Sequence, residues 1–155
     1  MSPQSTNPRN RLGVFKRYAD VPQGYRLDQY EAAYADRNVW QTFITEYLFE
    51  RYNSVRSKTD AQRVGREWKR HMNDCGRHHA LARPADVESW CERLCESYSL
   101  NTAYNTYWVR IERFYEWLLW SRVYPHTYQP VVMAAVEGPA AQRIWREKMR
   151  RGQSK

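Results

Sequence analysis

Residues 102–120, TAYNTYWVRIERFYEWLLW, constrain the fold more than any other stretch of the chain. At about 100° per residue, Tyr104, Tyr107, Trp108, Ile111, Phe114, Tyr115, Leu118 and Leu119 fall on one arc of roughly 140°. Arg110, Glu112, Arg113 and Glu116 lie outside that arc. The pattern predicts an amphipathic helix with a heavy aromatic face. It excludes a membrane span, because four ionised side chains within one turn-rich segment are too costly in hydrocarbon. Val109, Trp117 and Trp120 point in other directions, so the helix is expected to pack between neighbours. The alternative is that Trp117 or Trp120 is an exposed contact for a partner.

Other segments repeat the helical period. A helix is predicted from a cap near Asp36 to about Asn53, with Trp40, Phe43, Ile44, Tyr47 and Leu48 on one face. A second is predicted to start at a Ser57 or Thr59 cap, with Ala61, Val64, Gly65, Trp68, Met72 and Cys75 as its apolar stripe. Gly76 is its expected stop. Pro84 fits a first helical turn, where its missing N–H costs nothing. Val87, Trp90, Cys91 and Leu94 then face inward on a third, short helix. Ser99 is the expected cap of the aromatic helix, and Pro125 its expected end. PVVMAAVE reads as a short apolar helix, and AAQRIWREKMRR, after a Gly-Pro break, as a basic one. No segment alternates as a strand does. The expected fold class is all-α: a compact bundle of four core helices with short terminal helices. Residues 1–35 are expected to be a flexible or irregular N-terminal segment, residues 36–136 the helical domain, and residues 137–155 a basic C-terminal helix or tail.

Charge narrows the partner. The 155 residues carry a formal net charge of +8. Taken as residues 1–35, 36–82, 83–125 and 126–155, the net charges are +2, +3, −1 and +4. A surplus of this kind suits a polyanion, first of all nucleic acid. The aromatic helix lies in the near-neutral part. No leading apolar run suggests a signal peptide. Three cysteines do not suggest a secreted disulfide framework, so the cytoplasm is the expected compartment.

The best candidate surface is on the second helix. Arg63, Arg66 and Arg70 project within about 60° of one another, opposite the apolar stripe. Arg56, Lys58 and Lys69 lie at its edges or before its start, beside Thr59. A narrow arginine line can track phosphates or enter a major groove. The same line can also be the solvated face of an ordinary helix, with Glu67 as its local counter-charge. Near the end, Arg143, Arg146, Lys148, Arg150 and Arg151 add a second basic set.

No nucleophile, phosphate-loop, dinucleotide or zinc-protease motif is present, and no enzyme activity is expected. Cys75, His78, His79, Cys91 and Cys95 could in principle supply four metal ligands, but their spacing matches no zinc motif. Cys75 and Cys91 fit the apolar stripes of their helices, so no metal and no cofactor are expected.

The order of these segments resembles a known family. FITEYLFERYNSVRSKTDAQRVGREWKRHM is similar to the first helical pair of the SAM-like core-binding domain of tyrosine recombinases, the phage-type integrases. RPADVESWCERL resembles that domain's proline-led short helix. SLNTAYNTYWVRIERFYEWLLWSRVYPHTYQP resembles its last piece, with Ser99 and Thr102 at the start and Pro130 in place of the usual Asn-Pro. YPHTYQPVVMAA looks like archaeal members. The resemblance covers about residues 36–136 and implies half of a clamp around duplex DNA, with Arg110 and Arg113 of the long helix among the contacts. The family's catalytic domain supplies an Arg, a Lys, a His-x-x-Arg and a nucleophilic Tyr. None of the four histidines here begins His-x-x-Arg, and no room for that domain follows residue 136. The expectation is therefore a non-catalytic DNA-binding module, an accessory or regulator on a mobile element. Its expected partners are double-stranded DNA and either a separate recombinase or a second copy of itself. No membrane and no small-molecule substrate are expected. The alternative is a helical module that docks a protein through exposed tryptophans and basic residues.

Overall fold

Heptad-like apolar periodicity without alternation should give helices alone, and it does. A computed structural model describes residues 5–153, and among them no strand occurs. The helices are α1 (Glu31–Tyr34), α2 (39–51), α3 (Val55–Asp74), α4 (Pro84–Ser97), α5 (100–120), α6 (Pro130–Glu137) and α7 (Pro139–Gln153). Two of them contain a wide, π-type turn, at Ile44–Leu48 in α2 and at Ala103–Trp108 in α5. Short 3-10 turns at Pro8–Arg11, Tyr18–Asp20, Gln23–Tyr25 and Leu27–Tyr30 precede α1. The contacts divide the chain into two units. One is residues 27–82, and the other joins residues 5–26 to residues 83–153. The boundaries at 35/36 and 136/137 drawn from the sequence fall inside these units.

Within residues 27–82, α2 and α3 meet at a point fixed by a glycine. Trp40 lies fully buried, and its indole N–H donates to the Ala61 carbonyl at 3.1 Å. A β-carbon on Gly65 would overlap the Trp40 ring, so only glycine allows this approach. The connection after α3 completes the core. The Trp68 indole N–H donates to the His79 carbonyl at 2.8 Å, and the Trp40 backbone N–H donates to His79 Nε2 at 3.1 Å. Gly76, at φ 76°, ends α3 as expected. The Gly76 N–H returns to the Asn73 carbonyl and the Arg77 N–H to the Met72 carbonyl, the paired bonds of a Schellman stop.

Two helix starts differ from expectation. α2 begins at Val39 rather than near Asp36, because Asn38 accepts from the Gln41 N–H and is the cap; it ends at Arg51. α3 begins at Val55, one turn early. Its cap is Ser54, whose hydroxyl oxygen accepts from the Ser57 N–H at 3.1 Å, so Ser57 and Thr59 lie inside the helix.

In the other unit, α4, α6 and α7 pack around Val87, Trp90, Cys91, Leu94, Ala135, Ala141 and Ile144, all buried. Glu88 caps α7 from a distance: its carboxylate accepts from the Ala140 and Ala141 N–H groups at 3.0 and 2.8 Å. Gly138 sits at the cap position, and a β-carbon there would overlap that carboxylate. Helix α5 starts at its Ser99 cap as expected and places Tyr107, Trp108, Ile111, Phe114, Tyr115 and Leu118 in the core. It stops at Trp120, before Pro125. Ser121 turns extended, its hydroxyl oxygen accepts from the Val123 N–H, and Tyr124 folds back to within 5.4 Å of the Trp117 ring.

The N-terminal segment, expected to be flexible or irregular, is a series of short turns that is partly built into its unit. Asn7 caps the Pro8–Arg11 turn, the Thr6 carbonyl accepts from the Trp145 indole N–H at 2.7 Å, and Leu12 and Val21 are buried. Residues 1–4, 154 and 155 lie outside the described residues.

Candidate nucleic-acid interface

The early start of α3 changes its basic face. With Val55 as the first helical residue, Arg56 joins the helix and falls in line with Arg63 and Arg70 at seven-residue intervals, about 10 Å apart along the axis. Arg66 stands beside that line. All four are exposed. Among the described residues no carboxylate reaches salt-bridge distance of Arg56, Arg66 or Arg70. Arg63 pairs with Asp60 at 3.4 Å, a half-exposed contact of little net strength. Asp60, rather than Glu67, is therefore the local counter-charge. Glu67 Oε2 is buried with no hydrogen-bond partner among the described residues.

The remaining residues near α3 have other duties. The Lys69 ammonium donates to Asn38 Oδ1 at 2.6 Å, the same oxygen that caps α2, and burial holds its pKa below the ordinary lysine value. Lys58 is exposed, with its ammonium 5.2 Å from the centre of the Phe49 ring. The Thr59 hydroxyl donates back to the Val55 carbonyl at 2.9 Å. Arg110 and Arg113 on α5 are half-buried, and Arg110 donates to the Thr106 carbonyl at 2.8 Å.

The basic set on α7 divides in two. Arg143 and Arg146 are exposed. Lys148, Arg150 and Arg151 are engaged by carboxylates, although Arg150 remains exposed. Lys148 Nζ donates to both oxygens of Glu112, at 2.9 and 2.8 Å. Arg150 and Arg151 both hold Glu147, at 2.6 and 3.2 Å, and the Arg150 hydrogen bond holds that carboxyl below its ordinary pKa. Arg151 also donates to Asn105 Oδ1 at 2.7 Å. Glu112 lies outside the apolar arc of α5 and is nevertheless buried: its carboxylate also accepts from the Trp108 indole N–H at 2.8 Å.

Cys75, His78 and His79 belong to one unit and Cys91 and Cys95 to the other. Both ring nitrogens of His78 are used, one by the Arg37 carbonyl and one by the Ala80 N–H. Cys75 lies 3.6 Å from His71, and burial pushes the Cys91 thiol well up in pKa. No group of three His, Cys, Asp or Glu side chains among the described residues is placed to hold a metal ion. No helix among them is long and apolar enough to cross a membrane.

Trp120 is the large aromatic residue left most open, at 87% exposure, whereas Trp117 is half-buried against Phe114 and Tyr124. No known family pattern, curated protein or solved structure matches the chain.

Proposed function

We propose that this chain is a non-catalytic, cytoplasmic module that binds duplex DNA through phosphate contacts made by α3. One observation carries the reading: Arg56, Arg63, Arg66 and Arg70 form an exposed stripe opposite the buried face of a 20-residue helix, and three of the four have no carboxylate partner among the described residues. Unpaired guanidiniums suit phosphate oxygens because they offer forked donors and are weakly hydrated. The resemblance of residues 36–136 to recombinase core-binding domains points to the same ligand and to a role on a mobile element, beside a separate recombinase or a second copy. Arg143 and Arg146 are the α7 residues with no carboxylate partner among the described residues that add to it, whereas Lys148, Arg150 and Arg151 are paired with Glu112 and Glu147.

The test uses a labelled duplex of about 30 base pairs and a supercoiled plasmid. The protein is expected to shift the duplex at low salt and to release it as salt rises, since bound phosphates re-condense their counterions. The plasmid is expected to stay supercoiled, with no protein attached. A tyrosine-linked adduct would overturn the non-catalytic part of the proposal. Binding that ignores salt would overturn the phosphate part.

A second reading, docking of another protein, is favoured by the exposed Trp120.

A further inference from the structure

The unit formed by residues 5–26 and 83–153 contains a cleft of about 850 Å³. This is within the usual range for small-molecule sites. Its walls come from residues 5–15, from α5, from α6 with the residues before it, and from α7. Leu12, Phe15, Leu119 and Val132 supply apolar wall, and Glu112 and Lys148 lie in the lining as the ion pair already described. That pair leaves neither charge open.

Two groups at this cleft are unspent. Glu116 lines it, and among the described residues no cation comes within salt-bridge distance of its carboxylate. Trp120 lines it too, 87% exposed, with no ring or cation stacked on it. The second indole of the lining, Trp145, is different: Arg11 lies 5.3 Å and Lys148 4.8 Å from its centre. Glu116 and Trp120 are four residues apart on α5, so their side chains stand side by side on successive turns. Glu116 stands exposed at the mouth of the cleft, where a cation arriving from outside would meet its carboxylate.

We propose that this cleft binds a small organic cation, an ammonium or guanidinium group carried on an apolar or aromatic body. The charged group pairs with Glu116 and lies against the Trp120 ring, and the body enters between Phe15, Leu119 and Val132. An open aromatic face beside an unpaired carboxylate is the arrangement that attracts such ions. An anion would meet the unpaired carboxylate of Glu116. The proposal is independent of DNA binding by α3.

The probes are 4-phenylbutylguanidinium and, as its opposite charge, 4-phenylbutyrate, each titrated into the full chain while the indole N–H resonances of Trp120 and Trp145 are followed. The cation is expected to shift both resonances saturably, and the anion at equal concentration to leave them in place. Glu116→Gln keeps the shape of the side chain and is expected to weaken the cation about tenfold, the loss of one partly exposed ion pair. Trp120→Ala, followed at Trp145, is expected to weaken it as well. Equal responses to cation and anion, undiminished binding by Glu116→Gln, or no shift at about 10 mM probe would each overturn the proposal.

Discussion

At the scale of single residues, the most informative side chain is Glu112. It lies only about 20° beyond the apolar arc of α5, close enough that the fold takes it inside. It is tolerated there because Lys148 and the Trp108 indole satisfy both carboxylate oxygens. Removing one member should expose the cost of the other. Glu112→Ala is expected to destabilise by about 3–5 kcal/mol, and adding Lys148→Met should recover part of that loss. A denaturant titration of the three proteins checks this; an additive double variant would mean the pair is not coupled. Trp108→Ala should cost about 3–5 kcal/mol for its volume alone. His79 makes a second residue-scale prediction. Burial first, then His78 and Lys69, lower its pKa to about 2, so its Nε2 stays a neutral acceptor for the Trp40 N–H. The unfolded chain takes up a proton near pH 6.5 that the folded chain refuses. Stability is thus full above that pH and falls as the solution becomes more acidic, by roughly 2 kcal/mol between pH 6.5 and 5. His79→Gln offers an acceptor that does not titrate, and its stability should fall much less over the same interval. An equal fall in both proteins would assign the acid sensitivity elsewhere.

At the scale of elements, the contact between α2 and α3 gives a prediction whose sign is unusual. Gly→Ala inside a helix ordinarily stabilises by about 1 kcal/mol. Gly65→Ala should instead destabilise by about 1–3 kcal/mol, because the new methyl meets the Trp40 ring, which has no room to move. A raised melting temperature would show that the two helices are farther apart. This is also the scale at which the sequence was read best. The buried face of α5, the Gly76 stop, the Pro84 first turn and the Gly138–Pro139 break all depend on local periodicity or on backbone rules a few residues long. The start of α3 is not fixed by residue type, because Ser54, Ser57 and Thr59 all suit a cap and the Ser54 hydroxyl is the one that accepts from the Ser57 N–H. Burial of Glu112 was missed because its partner is 36 residues away on another helix. The pairing of Glu147 with Arg150 and Arg151 was readable, at spacings of three and four, and it removes half of what made α7 look like a binding face. The wide turns in α2 and α5 leave no signature in residue type.

At the scale of the whole molecule, charge and function do not sit where a simple count would put them. Residues 27–82 carry nine Lys and Arg against eight Asp and Glu, so the surplus of the chain lies in the rest of it. Yet the arginine stripe in which Arg56, Arg66 and Arg70 lack a carboxylate partner among the described residues is on α3, within the nearly balanced unit. What matters for a phosphate is the local presentation of unpaired cations: on α3 Asp60 engages Arg63 alone, and one oxygen of Glu67 is buried. The decisive measurement is therefore the salt dependence of duplex binding by the parent and by a variant with Arg56, Arg63, Arg66 and Arg70 all replaced by alanine. Each phosphate contact contributes about 0.9 to the slope of log affinity against log salt concentration. The four positions face away from the core, so the variant should keep its helicity and its melting temperature. The account predicts that its slope falls by up to about 3.6. A folded variant with the parent's affinity and the parent's slope would contradict it, and would leave α3 as a solvated face on a protein whose partner binds elsewhere.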